Sequence, residues 1–586
     1  MLKIHKVVPF LVLMTGSLFG NLPKDVAVHV QLAPAQTVMA DLGAFTQSST
    51  MGTPLAMWGN PGMMRMMLPG ALGLPQGLLD ESRSAHLLVS FPEKGLPPKV
   101  GVYIPVLSED NLGDKMTGSG YQAIKGGWEK KKGRSKKAFF LPANKGLIMS
   151  ENGIESAKWT QKTINAWKNT PKLDRGIKVI AKLKELMDQN EALINIMLAG
   201  MFQEIENDMA KNPEMVMLKP IIKAYQESIP LWMDQIDEAH LELNINGEGL
   251  NLSQILLAPK GSDLEKVAKN WSSDKTPIPS YANSLPLKSV STGIASIYPN
   301  LGKDLEPLLL PMLSSITKML GKKMDWVAFY KEATANPVTQ FANATIADEK
   351  TGYPLSFSVQ TLKKPQEAMA MMDKLFLGLN SINDIIPKEK GKDIMSLKFS
   401  STKGQKKVGG QETMVYGMDM IPGKDLPPMA KTQLSKNNFR LTTLAKGDKF
   451  YTVQAAPSID PSSQLESLLK AVQKSNHGIG NKASWKKAQS KTSKSKVVAS
   501  IYLMDTLKMV AKTEADAFQG LAMTMDIGGM LNSIPDSQVP ISMDLKALTR
   551  GFDFSIDLPA PAIQETVTAV MQSLMNSQGK KGSSPQ

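Results

Sequence analysis

Three histidines on predicted strands are the residues best suited to bind a metal ion. His29, His86 and His240 lie far apart in the chain, so a metal site would require them to converge from different strands. His29 alternates with a valine on either side, and this strand-like spacing predicts that its side chain faces water. We therefore expect no metal site, and we expect His477, in a loop rich in Gly and Ser, to be solvated.

Three serines recur at matching positions, but their surroundings do not favour nucleophilic catalysis. Ser253, Ser356 and Ser555 stand on predicted strands with no histidine at a shared spacing. The chain contains no sequence signature of a hydrolase nucleophile elbow, a phosphate-binding loop, a zinc protease or a dinucleotide-binding site. Acidic clusters at 108–114 and 234–238 fit helix ends and solvated faces better than paired catalytic carboxylates. The sequence predicts no catalytic residue and no cofactor, with a hydrolase assembled from distant loops as an alternative.

The composition narrows the chemistry further. The chain has 586 residues, 68 Lys and Arg against 54 Asp and Glu, a net charge of +14 and no cysteine. The lack of cysteine excludes disulfides, thiolate metal sites and cysteine nucleophiles. The positive charge favours anionic partners such as lipid head groups, lipopolysaccharide or nucleic acid, although no specific nucleic-acid site is predicted.

Two basic runs are possible contacts for anions. Each lies near a tryptophan, Trp128 or Trp485, so either run could hold an anionic surface or strand. We favour a solvated, mobile loop for both runs and keep the anion contact as the alternative. The residues concerned are Lys130, Lys131, Lys132, Arg134, Lys136 and Lys137 in the first run, and Lys486 and Lys487 in the second.

Methionine is unusually abundant, with 37 residues against 17 Phe, 10 Tyr and 8 Trp. The densest stretch, residues 57–67, has the thioether content of a copper(I) site. A helix packed onto a sheet accounts for the same stretch, because methionine fills irregular gaps in cores. We favour the packed helix.

The N-terminus resembles a secretory signal. A basic opening, an apolar stretch over 7–14 and small residues over 15–20 follow one another in the order of such a signal, with cleavage predicted after Ser17 or Gly20. The apolar run is too short for a bilayer span, which needs roughly 20 residues. We expect an exported mature chain, periplasmic or extracellular, without a transmembrane span.

A short pattern of Gly, apolar, any, apolar, Ser occurs three times, at 249–253, 352–356 and 551–555. Each occurrence follows a second shared string, and the two strings keep the same order. The recurring glycines, Gly249, Gly352 and Gly551, fit a hairpin exit or bulge with positive φ. The pattern predicts a repeated unit of strand, one or two helices, strand, hairpin, strand and helix, with a more divergent copy over 26–116.

Local signals support this unit. Apolar residues at helical spacing predict helices within 215–232 and 305–319, and alternation predicts strands at 241–246 and 543–547. Asn246-Gly247 fits a tight hairpin, Ser262 and Glu265 fit a capping box, and Pro365 fits a first helical turn. Strand-rich inserts at 137–166 and 438–473 occupy matching places in the two halves.

We therefore predict an α+β fold made by tandem duplication, with an antiparallel sheet and helices on one face. The predicted segments are a signal peptide at 1–20, a first module at 21–272, a linker at 273–287, a second module at 288–575 and a disordered tail at 576–586.

The two ends of the mature chain resemble large uncharacterised exported proteins of bacterial envelopes. The resemblance rests on Leu22-Pro-Lys-Asp25 before an apolar strand and on Phe552-Asp-Phe-Ser-Ile-Asp-Leu-Pro559. It implies a location in the envelope and carries no catalytic residues.

The leading hypothesis is a non-catalytic envelope protein that binds or scaffolds an unknown ligand. The alternative is a periplasmic carrier that holds a lipid or a lipoprotein acyl chain between its sheet and its Met-rich helices.

Overall fold

A computed structural model describes most of the chain between residues 25 and 569. The described residues are 25–49, 60–72, 74–91, 97–108, 110, 112–132, 136–167, 171–188, 199–200, 202–205, 207, 219–320, 324–384, 388–389, 392–393, 395–424, 426, 431, 434, 438–474, 478–483, 485–486, 490, 495–513 and 536–569. The predicted signal peptide, the predicted tail and His477 lie outside them.

Contacts divide the chain into two units, each built from several segments. Unit 1 comprises residues 1–194, 236–259 and 551–567, and unit 2 comprises 195–235, 260–550 and 568–586. This division differs from the modules 21–272 and 288–575 expected from the sequence. The physical reason is that the last strand pairs along its whole length with a strand of unit 1.

Unit 1 contains eleven described strands in one antiparallel arrangement, numbered here in chain order. From one edge they are β4 (Gln122–Ile124), β5 (Gly127–Lys132), β6 (Lys136–Ala143), β7 (Gly146–Ser150), β3 (Lys99–Pro105), β2 (Ala85–Ser90), β1 (Val28–Leu32), β8 (Ile177–Lys182), β9 (Glu238–Asn246), β10 (Gly249–Leu257) and β22 (Gly551–Pro559). Its described helices are α1 (Ala35–Ser49), α2 (Pro61–Ala71), α3 (Leu112–Gly118) and α4 (Ile154–Asn165), and its residues 560–567 are helical after β22.

Helices cover both faces of the unit 1 sheet, so the prediction of helices on one face is wrong. The neighbours Tyr103 and Ile104 point to opposite faces of β3, and both are buried. Tyr103 packs in a core cluster with Ile164 of α4, whereas Ile104 packs in a cluster with Met116 of α3. A strand that carries apolar side chains on both of its faces requires packed elements on both sides.

Unit 2 contains nine described strands in a second antiparallel arrangement. In spatial order they are β16 (Met395–Lys403), β17 (Met414–Pro422), β18 (Phe439–Lys446), β19 (Lys449–Ala455), β13 (Pro354–Leu362), β12 (Val338–Ala347), β11 (Ser291–Ser296), β20 (Val497–Ile501) and β21 (Ile541–Ala547). A short hairpin of β14 (Lys388–Glu389) and β15 (Lys392–Asp393) stands apart from them.

The described helices of unit 2 also lie on both sheet faces. They are α5 (Lys219–Asp234), α6 (Asp263–Ser273), α7 (Leu301–Leu320), α8 (Trp326–Ala335), α9 (Pro365–Leu379), α10 (Ser462–Gln473) and α11 (Leu503–Thr513), with 3-10 turns at Ser280–Ser284, Asn380–Asp384 and Ile479–Asn481. Phe450 packs with Met372 of α9, while the next residue, Tyr451, packs in the cluster that holds Leu468 of α10.

Part of the predicted linker is a packed element. Tyr281 and Leu285 are buried in the main core of unit 2, together with Trp485 and Val453. The Pro and Ser residues that suggested a linker lie in an extended segment and in a 3-10 turn. The apolar residues of this turn face inward. Proline is compatible with both, because its fixed φ suits extended and turn conformations.

Several local predictions are confirmed, including the α+β class and the antiparallel pairing. Asn246 ends β9, and its Oδ1 accepts hydrogen bonds from the backbone N–H groups of Glu248 and Gly249, at 2.8 and 3.2 Å. The Oγ of Ser262 accepts from the backbone N–H of Glu265 at 3.2 Å, as a capping box requires. Pro365 is the first residue of α9.

Candidate functional site

The strands of unit 1 bring two of the five histidines together. His29 on β1 and His86 on β2 are both buried, and the Nε2 of His29 lies 3.0 Å from the Nδ1 of His86, a hydrogen-bond distance. The prediction that His29 faces water is wrong. Alternation correctly placed the side chain of His29 on the sheet face opposite to its neighbouring valines. It could not indicate that other residues cover this face too.

The cover comes from aromatic residues after and beneath α4. The ring of Trp167 lies 5.5 Å from that of His29 and 5.2 Å from that of His86, the second contact being edge-on. The ring of Tyr103 also packs against His86, at 5.8 Å between ring centres. Tyr103 and Trp167 are more than 70 positions from His29 in the sequence, so the local pattern around His29 could not indicate that they cover it.

His240 extends this polar strip across β8. His29 and His240 both lie opposite Ile180, one on each neighbouring strand, so they are on the same sheet face. On that face Lys178 of β8 pairs with Glu242 of β9, with 2.5 Å between Nζ and Oε1. The buried histidines therefore adjoin a fixed positive charge. We call His29, His86 and His240 the histidine strip.

Burial keeps the histidine strip neutral. Desolvation, assisted by the positive charge of Lys178, lowers the pKa of His29 to about 4. Desolvation and the neighbouring His29 lower the pKa of His86 to about 3, and desolvation with Lys178 lowers the pKa of His240 to about 2. Neutral imidazoles can each donate one hydrogen bond and accept another.

Three polar atoms of this region lack a hydrogen-bond partner among the described residues: Nε2 of His86, Nδ1 of His240 and Nε2 of Gln31. The described residues contain no group of three or more His, Asp or Glu side chains placed to hold a metal ion. The arrangement is suited to a neutral, partly satisfied hydrogen-bond network whose stability depends on pH.

The recurring Gly and Ser residues have structural contacts. β10 and β22 pair so that Ser253 lies opposite Ser555, and the Oγ of Ser253 donates to Oδ1 of Asp553 at 2.7 Å. Ser555 is 3.4 Å from the same oxygen. The Oγ of Ser356 lies 3.0 Å from the hydroxyl of Thr345. None of these partners is a histidine.

The glycines are required by conformation and by close packing. Gly249 and Gly352 have φ of +149° and +74°, as predicted for hairpin exits. Gly551 is instead required by proximity, because a Cβ there would lie 1.9 Å from the carbonyl oxygen of Leu256. A Cβ on Gly249 would lie 2.4 Å from the carbonyl oxygen of Leu558, which is the matching contact on the partner strand.

The first basic run belongs to a β-hairpin in its described part. Lys130, Lys131 and Lys132 end β5, and Lys136 and Lys137 begin β6, whereas Arg134 lies outside the described residues. The Nζ of Lys130 lies 4.3 Å above the ring of Tyr121, and Lys137 pairs with Glu129 at 2.8 Å.

The second basic run is described only in part. Trp485 is fully buried and its Nε1 donates to Oδ1 of Asn283 at 3.1 Å, while Lys486 is exposed and Lys487 lies outside the described residues. The first run belongs to unit 1 and the second to unit 2.

The Met-rich segment forms a helix in its described part, but Met63, Met66 and Met67 are not packed onto the sheet. In α2, Met63, Met66 and Met67 are 41%, 69% and 60% exposed. Leu68, on the other side of the helix, packs against the core instead. The prediction of a packed helix is therefore wrong for these three methionines, since Leu68 and Leu72 are the residues that pack inward. We call Met63, Met66 and Met67 the methionine face; the remaining part, 57–59, lies outside the described residues.

Unit 2 contains an open cavity of about 420 Å³ beside α10. Its floor includes Phe357 and Leu468, and its rim carries the neutral polar side chains of Ser463, Gln464 and Ser467. The volume is in the range of small-ligand sites. No sequence pattern indicated it, because its walls come from four separated segments.

Comparison with protein-family models, with curated proteins and with solved structures finds no match. No helix among the described residues combines the length and the apolar character needed to cross a bilayer.

Proposed function

We propose that the protein is an exported, non-catalytic binding protein of the bacterial envelope, and that unit 1 docks on an anionic lipid surface. The observation that carries this proposal is the methionine face. Three large apolar side chains at positions i, i+3 and i+4 of one helix point outward, a spacing that places them on one side. Exposed apolar side chains grouped in this way mark interaction surfaces.

The base of α2 is anchored, so the methionine face has a fixed orientation. Asn60 caps the N-terminus of the helix, and its Oδ1 accepts from the N–H groups of Gly62 and Met63 at 2.9 and 3.4 Å. Leu68 and Leu72 pack against a core cluster that includes Ile104. Leu107, 66% exposed, adjoins the same cluster, because its N–H donates to the carbonyl of Leu78 at 3.1 Å.

Positive charge is available on the same side of the sheet. Trp128 of β5 packs against this cluster, and Lys130, two residues further, lies on the same face of the strand. The basic run from Lys130 to Lys137 thus begins beside the core that supports α2. Apolar insertion combined with lysines near an anionic head-group layer is the physical basis of interfacial binding.

The expected affinity follows from the exposed area. Full burial of a methionine contributes about 1.5 to 3 kcal/mol, so the exposed fractions of three methionines contribute roughly 3 kcal/mol, about 150-fold in partitioning. Each lysine close to an anionic surface adds about 1 kcal/mol.

The test is co-sedimentation with vesicles of phosphatidylcholine, with and without phosphatidylglycerol. The variant Met63→Ser/Met66→Ser/Met67→Ser is expected to bind at least tenfold more weakly to both, and Lys130→Glu to weaken binding only where phosphatidylglycerol is present. A matched control replaces the exposed Leu377 and Ile421 of unit 2 by serine and should bind like the wild type. Equal binding by the methionine variant and the control would contradict the proposal.

A second candidate function is the carrier of a lipid or acyl chain. It is favoured by a half-exposed apolar sheet face on β9, β10 and β22. Leu243, Leu252 and Ile556 lie side by side across these strands, as do Ile245, Leu250 and Leu558. Native mass spectrometry of protein purified from its own host separates the candidates, because co-purifying lipid favours a carrier and its absence favours surface docking alone.

We also propose that the chain arose by tandem duplication. The supporting observation is that the described strands follow the same order in each unit when the first sheet is read from β4 and the second from β16. β4 to β7, then β3, β2, β1, β8 and β9, correspond to β16 to β19, then β13, β12, β11, β20 and β21. The matching contacts of Gly249 and Gly551 add to this correspondence.

A further inference from the structure

The strand β16 lies at an edge of the unit 2 sheet. It pairs with β17 over nine residues, from Met395 opposite Pro422 to Lys403 opposite Met414, and it has no other strand partner among the described residues. In an antiparallel pair, alternate residues direct their backbone N–H and C=O groups away from the partner. Such an edge is a template for pairing with another chain unless it is covered.

Two asparagines cover the middle of this edge. Asn383 donates from Nδ2 to the carbonyl of Leu397 at 2.6 Å, and its Oδ1 accepts from the N–H of the same residue at 2.7 Å. Asn380 donates to the carbonyl of Phe399 at 3.1 Å and accepts from the N–H of Phe399 at 3.0 Å. Each side-chain amide thus occupies the place of a peptide group on a neighbouring strand. We call Asn380 and Asn383 the asparagine clasp.

The clasp is held in position by the 3-10 turn that follows α9. Ser381 is buried, and its Oγ donates to the carbonyl of Gly378 at 2.8 Å. Ile382 packs against the cluster that contains Leu397 and Phe399. A short turn with an inward apolar side chain can place two amides at the spacing of alternate strand residues.

We propose that the outer edge of β16 is a strand-pairing surface for β16 of a second copy of this chain, and that the asparagine clasp keeps it closed. The strand is complementary to itself in antiparallel orientation. With Phe399 opposite Phe399 of the second copy, Lys398 lies opposite Ser400 and Lys403 lies opposite Met395, so no two lysines face each other. The backbone N–H and C=O groups of Leu397 then pair with those of Ser401 of the second copy.

The test removes the clasp in the full chain and measures molar mass by light scattering after gel filtration, over a range of concentrations. The variant Asn380→Ala/Asn383→Ala is expected to dimerise, whereas the wild type is not expected to associate through this edge. The matched control is Asn336→Ala. Asn336 makes the same two-way contact with the backbone of Lys364, at 2.7 and 3.0 Å, but the contact is not on a strand edge. Removing it should leave the mass unchanged.

A cross-link tests the site of association. The chain has no cysteine, so Lys398→Cys/Ser400→Cys introduced into the clasp variant provides the only thiols. In the proposed register positions 398 and 400 form non-hydrogen-bonded pairs, whose Cα separation of about 4.5 Å suits a disulfide. A disulfide-linked dimer is expected under mild oxidation.

The proposal is overturned if the folded clasp variant keeps the mass of the wild type, or if it associates without forming the cross-link. Where the double variant fails to fold, the single variants Asn380→Ala and Asn383→Ala carry the test. Each is expected to dimerise at a higher concentration than a full clasp deletion requires, and an unchanged mass in both would also refute the proposal.

Discussion

Acidification should destabilise unit 1 through the histidine strip. Each strip residue has a pKa of about 4 or below when folded, against 6.5 when unfolded. Between these values the unfolded chain binds protons that the folded chain does not, so stability is complete above pH 6.5 and falls as the pH is lowered towards 4.

The magnitude follows from the two pKa values. Lowering the pH from 7 to 5 stabilises the unfolded chain by about 2 kcal/mol for each histidine that stays neutral in the fold. His29, His86 and His240 together therefore remove about 6 kcal/mol, comparable with the 5 to 15 kcal/mol that typically stabilises a domain.

The assay is urea unfolding at pH 5, 6, 7 and 8, with hydrogen exchange of β1 reporting on unit 1 alone. His86→Gln keeps a hydrogen-bonding group beside His29 but cannot titrate, so it should reduce the loss of stability between pH 7 and 5 by about 2 kcal/mol. Gln31→Met serves as control, because it removes the unpartnered Nε2 from the same region without changing the pH slope. The same slope in His86→Gln and the wild type would refute the reasoning.

Two further predictions concern glycine packing and export. Gly551→Ala should destabilise the protein by about 2 kcal/mol or more, because the added Cβ would overlap the carbonyl of Leu256. The control Gly261→Ala, at φ +81° with no atom within 4 Å of the added Cβ, should cost about 1 kcal/mol. Thermal unfolding measures both variants, and equal shifts in melting temperature would contradict the packing argument. Intact mass spectrometry of protein from the exported fraction should give a mature chain that begins after Ser17 or Gly20, and a full-length chain there would argue against the signal.

Local signals in the sequence determined most elements of the fold. The alternation around Leu243 indicates β9, Asn246-Gly247 indicates its hairpin, and the spacing of Ser262 and Glu265 indicates the start of α6. These predictions succeeded because each depends on contacts within a few residues, where backbone geometry and hydrogen bonding are the deciding terms.

Cover and long-range pairing were decided only by the tertiary structure. His29 is buried because Trp167 lies over it, and Ser253 meets Ser555 because two strands 302 residues apart in sequence pair along their full length. The exposure of Met66 likewise depends on which side of α2 finds the core. Periodicity indicates on which side of a strand or helix a side chain lies. Whether another element covers that side depends on how distant segments pack, and no local sequence pattern encodes this packing.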